Sequence, residues 1–127
     1  MSRPGGVVLD AGAFIGLEKG NRVMVELVRL LVRERIPLAT SAAVVAQVWR
    51  GGADRQVPVA FLLRNAEVIA LTHGVARVLG RMLGTSRASD VVDAHVVFLA
   101  RERGWPVLTS DPQDLLAIDP TLDVETV

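Results

Sequence analysis

Short β-branched runs alternate with longer helical patterns along the whole chain. The runs are Gly6–Asp10 (GVVLD), Leu38–Thr40, Glu67–Leu71 (EVIAL) and Pro106–Thr109 (PVLT), with Leu122–Val127 as an edge strand. They are continuous rather than alternating, as in strands buried on both faces. Between them the apolar residues recur at helical spacing. Asn21 caps a helix to about Arg35, with Val23, Leu27, Leu30 and Leu31 repeating at helical spacing and Arg22, Glu26, Arg29 and Arg33 between them; Pro37 stops it. Ser41 caps a helix over Ala42–Arg50, ended by Gly51-Gly52. Val57–Asn65 and Gly74–Leu83 are further helices, the second with Val75, Val78, Leu79 and Met82 inward and Arg77 and Arg81 outward. Ala11–Lys19 reads as a short helix or turn broken by Gly12, Gly16 and Gly20. Gly84–Ser89 is a polar connection, Asp90 opens a helix closed by Arg101, Arg103 and Gly104, and Asp111–Ala117 is a short turn or helix. The alternation predicts an α/β protein with a mostly parallel sheet of four to five strands flanked by helices.

Composition narrows the chemistry. With 127 residues and half of them hydrophobic, the chain can build the core of one domain spanning 1–127. It has no cysteine, which excludes disulfides, zinc–thiolate sites and thiol catalysis. Formal net charge is zero, so no whole-molecule attraction to nucleic acid or membrane is indicated. Of the 14 basic residues only Lys19 is a lysine, and arginine is the better phosphate ligand. No apolar run approaches a membrane span, and the apolar stretch after Met1–Gly6 is too short for a signal peptide. A soluble, cytoplasmic protein is expected.

The carboxylates change the picture most. In an open parallel sheet, ligands sit beyond the carboxyl ends of the strands. Asp10 and Asp111 both follow strands, and Asp90 and Asp93 lie one helical turn apart at the start of a helix. Two carboxylates about 4 Å apart repel by roughly 4 kcal/mol at an effective dielectric of about 20. A hard divalent cation removes that cost, and an oxygen-only donor set suits Mg²⁺ or Mn²⁺. Such an ion can activate water against a phosphodiester and neutralise the developing charge. Plain structural roles compete. Asp90 suits a helix N-cap, Asp93 suits the helix dipole, Asp111 before Pro112 suits a turn, and Asp114 suits a turn or a place behind the ligands. Asp10 is hardest to explain structurally, because a buried strand end rarely carries a free carboxylate.

VVLDAGAFIGLE, the capped helix after Thr40-Ser41, and SDVVDAHVVFLARERGWPVLTSD together resemble the PIN domain, most closely the VapC toxins of bacterial toxin–antitoxin pairs. The resemblance runs over nearly the whole chain. It implies a PIN-like fold and a Mg²⁺- or Mn²⁺-dependent endoribonuclease with Asp10, Asp93 and Asp111 as its acidic site. Ser110, or neighbouring Thr109, would add a hydroxyl contact near the metal. It also implies a homodimer and a cognate antitoxin that inserts into the active-site groove, with promoter DNA bound only through the antitoxin complex. One departure stands out. The family's glutamate on the helix after the second strand is Gln47 here, which keeps an oxygen and loses the charge. Asp90, one turn from Asp93, is a partial substitute.

Other polar residues carry plainer expectations. His95, two residues from Asp93, points to a different face and is expected at the surface or toward a partner. His73 is expected in a loop. Arg77 and Arg81 suit a solvated helix face, whereas Arg87, close to the acidic helix, suits RNA phosphate. Trp49 and Trp105 are expected in the core or an interface. A phospho-receiver domain needs a lysine late in the chain, a haloacid-dehalogenase-type phosphatase needs an acid at Gly12, and the phosphate-binding glycine motifs are missing. The alternatives that remain are a PIN-like protein that binds RNA or a partner without cleaving, and a nuclease for structured DNA.

Overall fold

The computed structural model describes residues 5–127; of the Met1–Gly6 segment weighed as a leader, residues 1–4 lie outside the described residues. Five strands form one all-parallel sheet: β1 (Val7–Leu9), β2 (Leu38–Ser41), β3 (Glu67–Ile69), β4 (Val107–Thr109) and β5 (Val124–Thr126). Their order is β3-β2-β1-β4-β5. The chain therefore builds outward from β1 on one side and then returns to its other side. β1 and β4 flank the point of reversal, where such sheets leave a crevice at their carboxyl ends.

Among the described residues seven α-helices surround the sheet: α1 (Ala11–Glu18), α2 (Arg22–Arg33), α3 (Ala42–Val48), α4 (Val57–Arg64), α5 (His73–Ser86), α6 (Val91–Arg103) and α7 (Pro112–Ile118). The strand triplets VVL and VLT are wholly buried and pack with Phe14, Met24, Val44, Leu62, Val96 and Leu115. The expected caps form. Asn21 Oδ1 accepts from Met24 N, Ser41 Oγ from Ala43 N and Asp90 Oδ1 from Asp93 N. Each satisfies an amide that the helix itself leaves unpaired. No helix among the described residues is long and apolar enough to cross a membrane.

Three expectations are corrected. α1 runs unbroken through Gly12 and Gly16, because Ala13, Phe14 and Leu17 anchor it in the core and packing outweighs glycine's low propensity. α2 buries Met24 and Val28, with Leu27 and Leu31 beside them, while Val23 is 68% and Leu30 43% exposed. Apolar residues occupy so wide an arc of this helix that its period alone could not choose the centre. α5 begins one residue earlier and ends three later than its pattern suggests, because Thr72 caps it and Arg87 closes it in the left-handed region at φ 64°. His73 is therefore the exposed first residue of a helix, not a loop residue.

Candidate active site

Asp10 directly follows β1 and is only 8% exposed. Its carboxylate caps α1 by accepting from Ala11 N at 2.8 Å. Its other oxygen accepts from Thr109 Oγ1 at 2.9 Å. Thr109, the last residue of β4, also accepts from Asp111 N at 3.0 Å. One buried hydroxyl thus ties the ends of β1 and β4 together and fixes the chain just before Asp111. Ser110 is exposed and lies against Gly12, where a Cβ would come within 2.7 Å of the Ser110 amide nitrogen. Of the two hydroxyls considered, Thr109 is the one bonded to Asp10, and Ser110 packs closely against Gly12 of α1.

Asp93 enters from the first turn of α6, half-buried. Burial pushes its carboxyl up to about 7, helped by the negative charges of Asp90, Asp10, Asp114 and Asp111. Asp10 is raised as well, first by burial and then by Asp111 and Asp90, against the lowering effect of its bonds from Ala11 and Thr109. Asp114, in the first turn of α7, is raised by a hydrogen bond and charge repulsion from Asp111. Asp10, Asp93 and Asp114 are thus held above the usual carboxylate range in a neighbourhood that also contains Asp90 and Asp111. Among the described residues no three acidic or imidazole side chains stand close enough to hold one ion as arranged. The donors are nonetheless all oxygens, which fits a hard cation that takes one or two carboxylates directly and keeps several waters.

The neighbouring edge is neutral. Gln47 is exposed on the last turn of α3. Thr40 Oγ1 donates to Leu9 O at 2.7 Å, joining β2 to the residue before Asp10. His95 overturns its surface assignment: it is fully buried, with Nδ1 2.6 Å from Ser41 Oγ. Burial lowers its pKa. The signal for its burial was in VVDAHVVFLA, which is apolar on nearly every side of Asp93 and His95; such a helix is enclosed all round. Nothing in the local pattern marks Ser41 as its partner.

Arg77, Arg81 and Arg87 are exposed. Arg87 closes α5, and Asp90 three residues later caps α6. Trp105 is half-buried against the core with Arg103 stacked 5.2 Å from its ring, whereas Trp49 remains 38% exposed.

The PIN domain family matches residues 7–119. The chain belongs to the PIN domain family. That match ends before β5, so the four strands and the helices that carry all five carboxylates lie within it. Solved structures agree in fold. FitAB bound to an IR36 DNA fragment superposes with a TM-score of 0.65 at 16% identity, over 94% of each chain. VapBC2 from Rickettsia felis, bound to a DNA fragment from their promoter, gives 0.69 at 15% identity, over 95% of this chain and 98% of that one. At these identities the likeness concerns the shape of the PIN domain. No curated protein matches by sequence.

Proposed function

We propose that this PIN domain is a Mg²⁺- or Mn²⁺-dependent endoribonuclease and the toxin of a VapBC-type pair. The observation that carries the reading is the mutual repulsion of Asp10 and Asp93, with Asp90, Asp111 and Asp114, at the crevice between β1 and β4. Carboxylates kept at such a cost are explained by a cation that discharges them. Asp10, Asp93 and Asp111 would hold it, one or two of them directly and the rest through its waters, with Asp90 and Gln47 as further candidates. The ion would supply activation of water and charge neutralisation at the phosphodiester. Thr109 orients Asp10, and Asp114 stands behind Asp111. Arg87 would contact an RNA phosphate. A cognate antitoxin and a second copy of the chain are the expected protein partners, with promoter DNA reached only through the antitoxin. The DNA-bound FitAB and promoter-bound VapBC2 neighbours support this, as do the exposed Ile15, Trp49, Val57 and Phe61. One domain in the cytoplasm remains the working description.

The test is cleavage of a mixed RNA panel by the purified protein with Mg²⁺, with Mn²⁺ and with chelator, beside Asp93→Asn. Metal-dependent cleavage lost in the variant supports the reading. Cleavage that survives chelator, or that Asp93→Asn retains, removes it. A second reading has its own observation: Gln47 brings no charge to the cluster and lies exposed. On that reading the protein binds RNA or a partner without cutting. RNA binding by folded, antitoxin-free protein with no cleavage under any metal condition would favour it, and structured DNA in the same panel separates a DNA nuclease.

A further inference from the structure

His95 takes no part in the proposed cleavage chemistry, yet it occupies the middle of the helix that delivers Asp93. Its ring is fully buried, Nε2 has no hydrogen-bond partner among the described residues, and Nδ1 lies 2.6 Å from Ser41 Oγ. An apolar side chain of similar volume would avoid the cost of that half-satisfied imidazole. The Ser41 hydroxyl is equally specific. It stands at the end of β2, caps α3 through Ala43 N, and follows Thr40, whose hydroxyl holds the carbonyl of Leu9. A chain of bonds therefore runs from the residue before Asp10, through β2, to the helix bearing Asp93.

Why a hydrogen bond is needed here follows from α6 itself. Ala94, Val96, Val97, Leu99 and Ala100 are all buried with His95, so the helix is apolar around most of its circumference. Apolar burial is non-directional, and a helix enclosed on most sides can rotate or slide with little loss of buried area. A directional bond at one position picks out a single register, the way buried polar groups confer specificity in other helical packings.

We propose that the Ser41–His95 hydrogen bond is a strut that sets the position of Asp93 relative to Asp10 and to the Gln47-bearing helix α3. Ser41 and His95 are positioning residues; neither touches substrate or ion. This rests on the divalent-cation reading above.

The experiment is Mn²⁺ titration of the purified full chain, with free ion followed by electron paramagnetic resonance and thermal stability measured in parallel. Wild type is compared with His95→Leu, which fills the space without a polar atom, and His95→Asn, which returns an amide near the position of Nδ1. The strut predicts that His95→Leu stays folded and binds Mn²⁺ about tenfold more weakly, while His95→Asn recovers most of the affinity. A purely structural role would move the melting temperature and leave Mn²⁺ affinity alone. If His95→Leu does not fold, His95→Met fills the same space with a more adaptable apolar chain, leaves the Ser41 cap of α3 intact and carries the same prediction. Wild-type binding matched by the folded bond-free variant overturns the strut and leaves the cation reading intact. Absence of Mn²⁺ binding by the wild type overturns both.

Discussion

Two adjoining edges of the sheet solve the problem of polar groups at strand ends in opposite ways. At β2, Thr40, Ser41 and His95 are buried without a carboxylate among them, Thr40 bonds Leu9 O, and Ser41 bonds one nitrogen of His95. At β1 and β4, Asp10 has bonds to both oxygens, yet it and Asp93 remain raised by burial and by neighbouring carboxylates. The first edge holds helices in register. The second retains an electrostatic conflict that the fold alone does not relieve. Stability and function pull apart there: replacing a carboxylate should help the metal-free fold and harm the reaction.

The sharpest way to break that contrast is Asp93→Asn. Cleavage should fall about a hundredfold or more if Asp93 meets the ion as proposed. With chelator present the same variant should melt higher than wild type, by an amount corresponding to about 1 kcal/mol after allowance for solvent screening. A variant that is both inactive and less stable would mean that Asp93 is a structural residue. Thr109→Val tests the bond linking the two strand ends. It leaves Asp10 and the Asp111 amide short of a partner, and denaturant unfolding should show a loss of roughly 1–3 kcal/mol. No loss would make the hydroxyl dispensable.

The pH dependence separates the edges next. Asp93 is raised from 3.8 to about 7, so the folded state holds a proton that the unfolded chain releases. Its stabilising contribution is fully present below the unfolded value and is lost as pH rises through about 7. Thermal melts in chelator should therefore fall as pH rises from about 4 to about 7 and level off above that, and Asp93→Asn should flatten that slope. A slope unchanged in the variant would assign it to another group. The smallest effect is expected from Gln47→Glu, which carries charge to the edge that lacks it. Mn²⁺ binding should tighten roughly tenfold, or about 1.4 kcal/mol. Unchanged or weaker affinity would put position 47 away from the ion.

Much of this contrast is legible in the sequence. Asp10, Asp93 and Asp111 stood out because strand ends and a first helical turn are local features, each readable from a few neighbouring residues. The caps at Asn21, Ser41 and Asp90 were legible for the same reason: a side chain reaching two or three residues along its own chain needs no tertiary partner. The roles that failed were those set by distant segments. Gly12 and Gly16 looked like helix breakers, yet the core holds α1 together across them. His95 looked like a surface residue because its partner, Ser41, lies 54 positions away.

By itself, the sequence determined the succession of strands and helices, the positions of the carboxylates at element ends, and the oxygen-only chemistry open to them. These depend on propensity, caps and residue type, all properties of short stretches. Only the tertiary structure decided that β4 lies beside β1 rather than β3, which brings Thr109 against Asp10 across 99 positions. It also decided which arc of α2 faces inward and that His95 is enclosed. Strand order and helix rotation minimise the exposed apolar area of the whole molecule, and several local patterns are compatible with each choice until every element is packed.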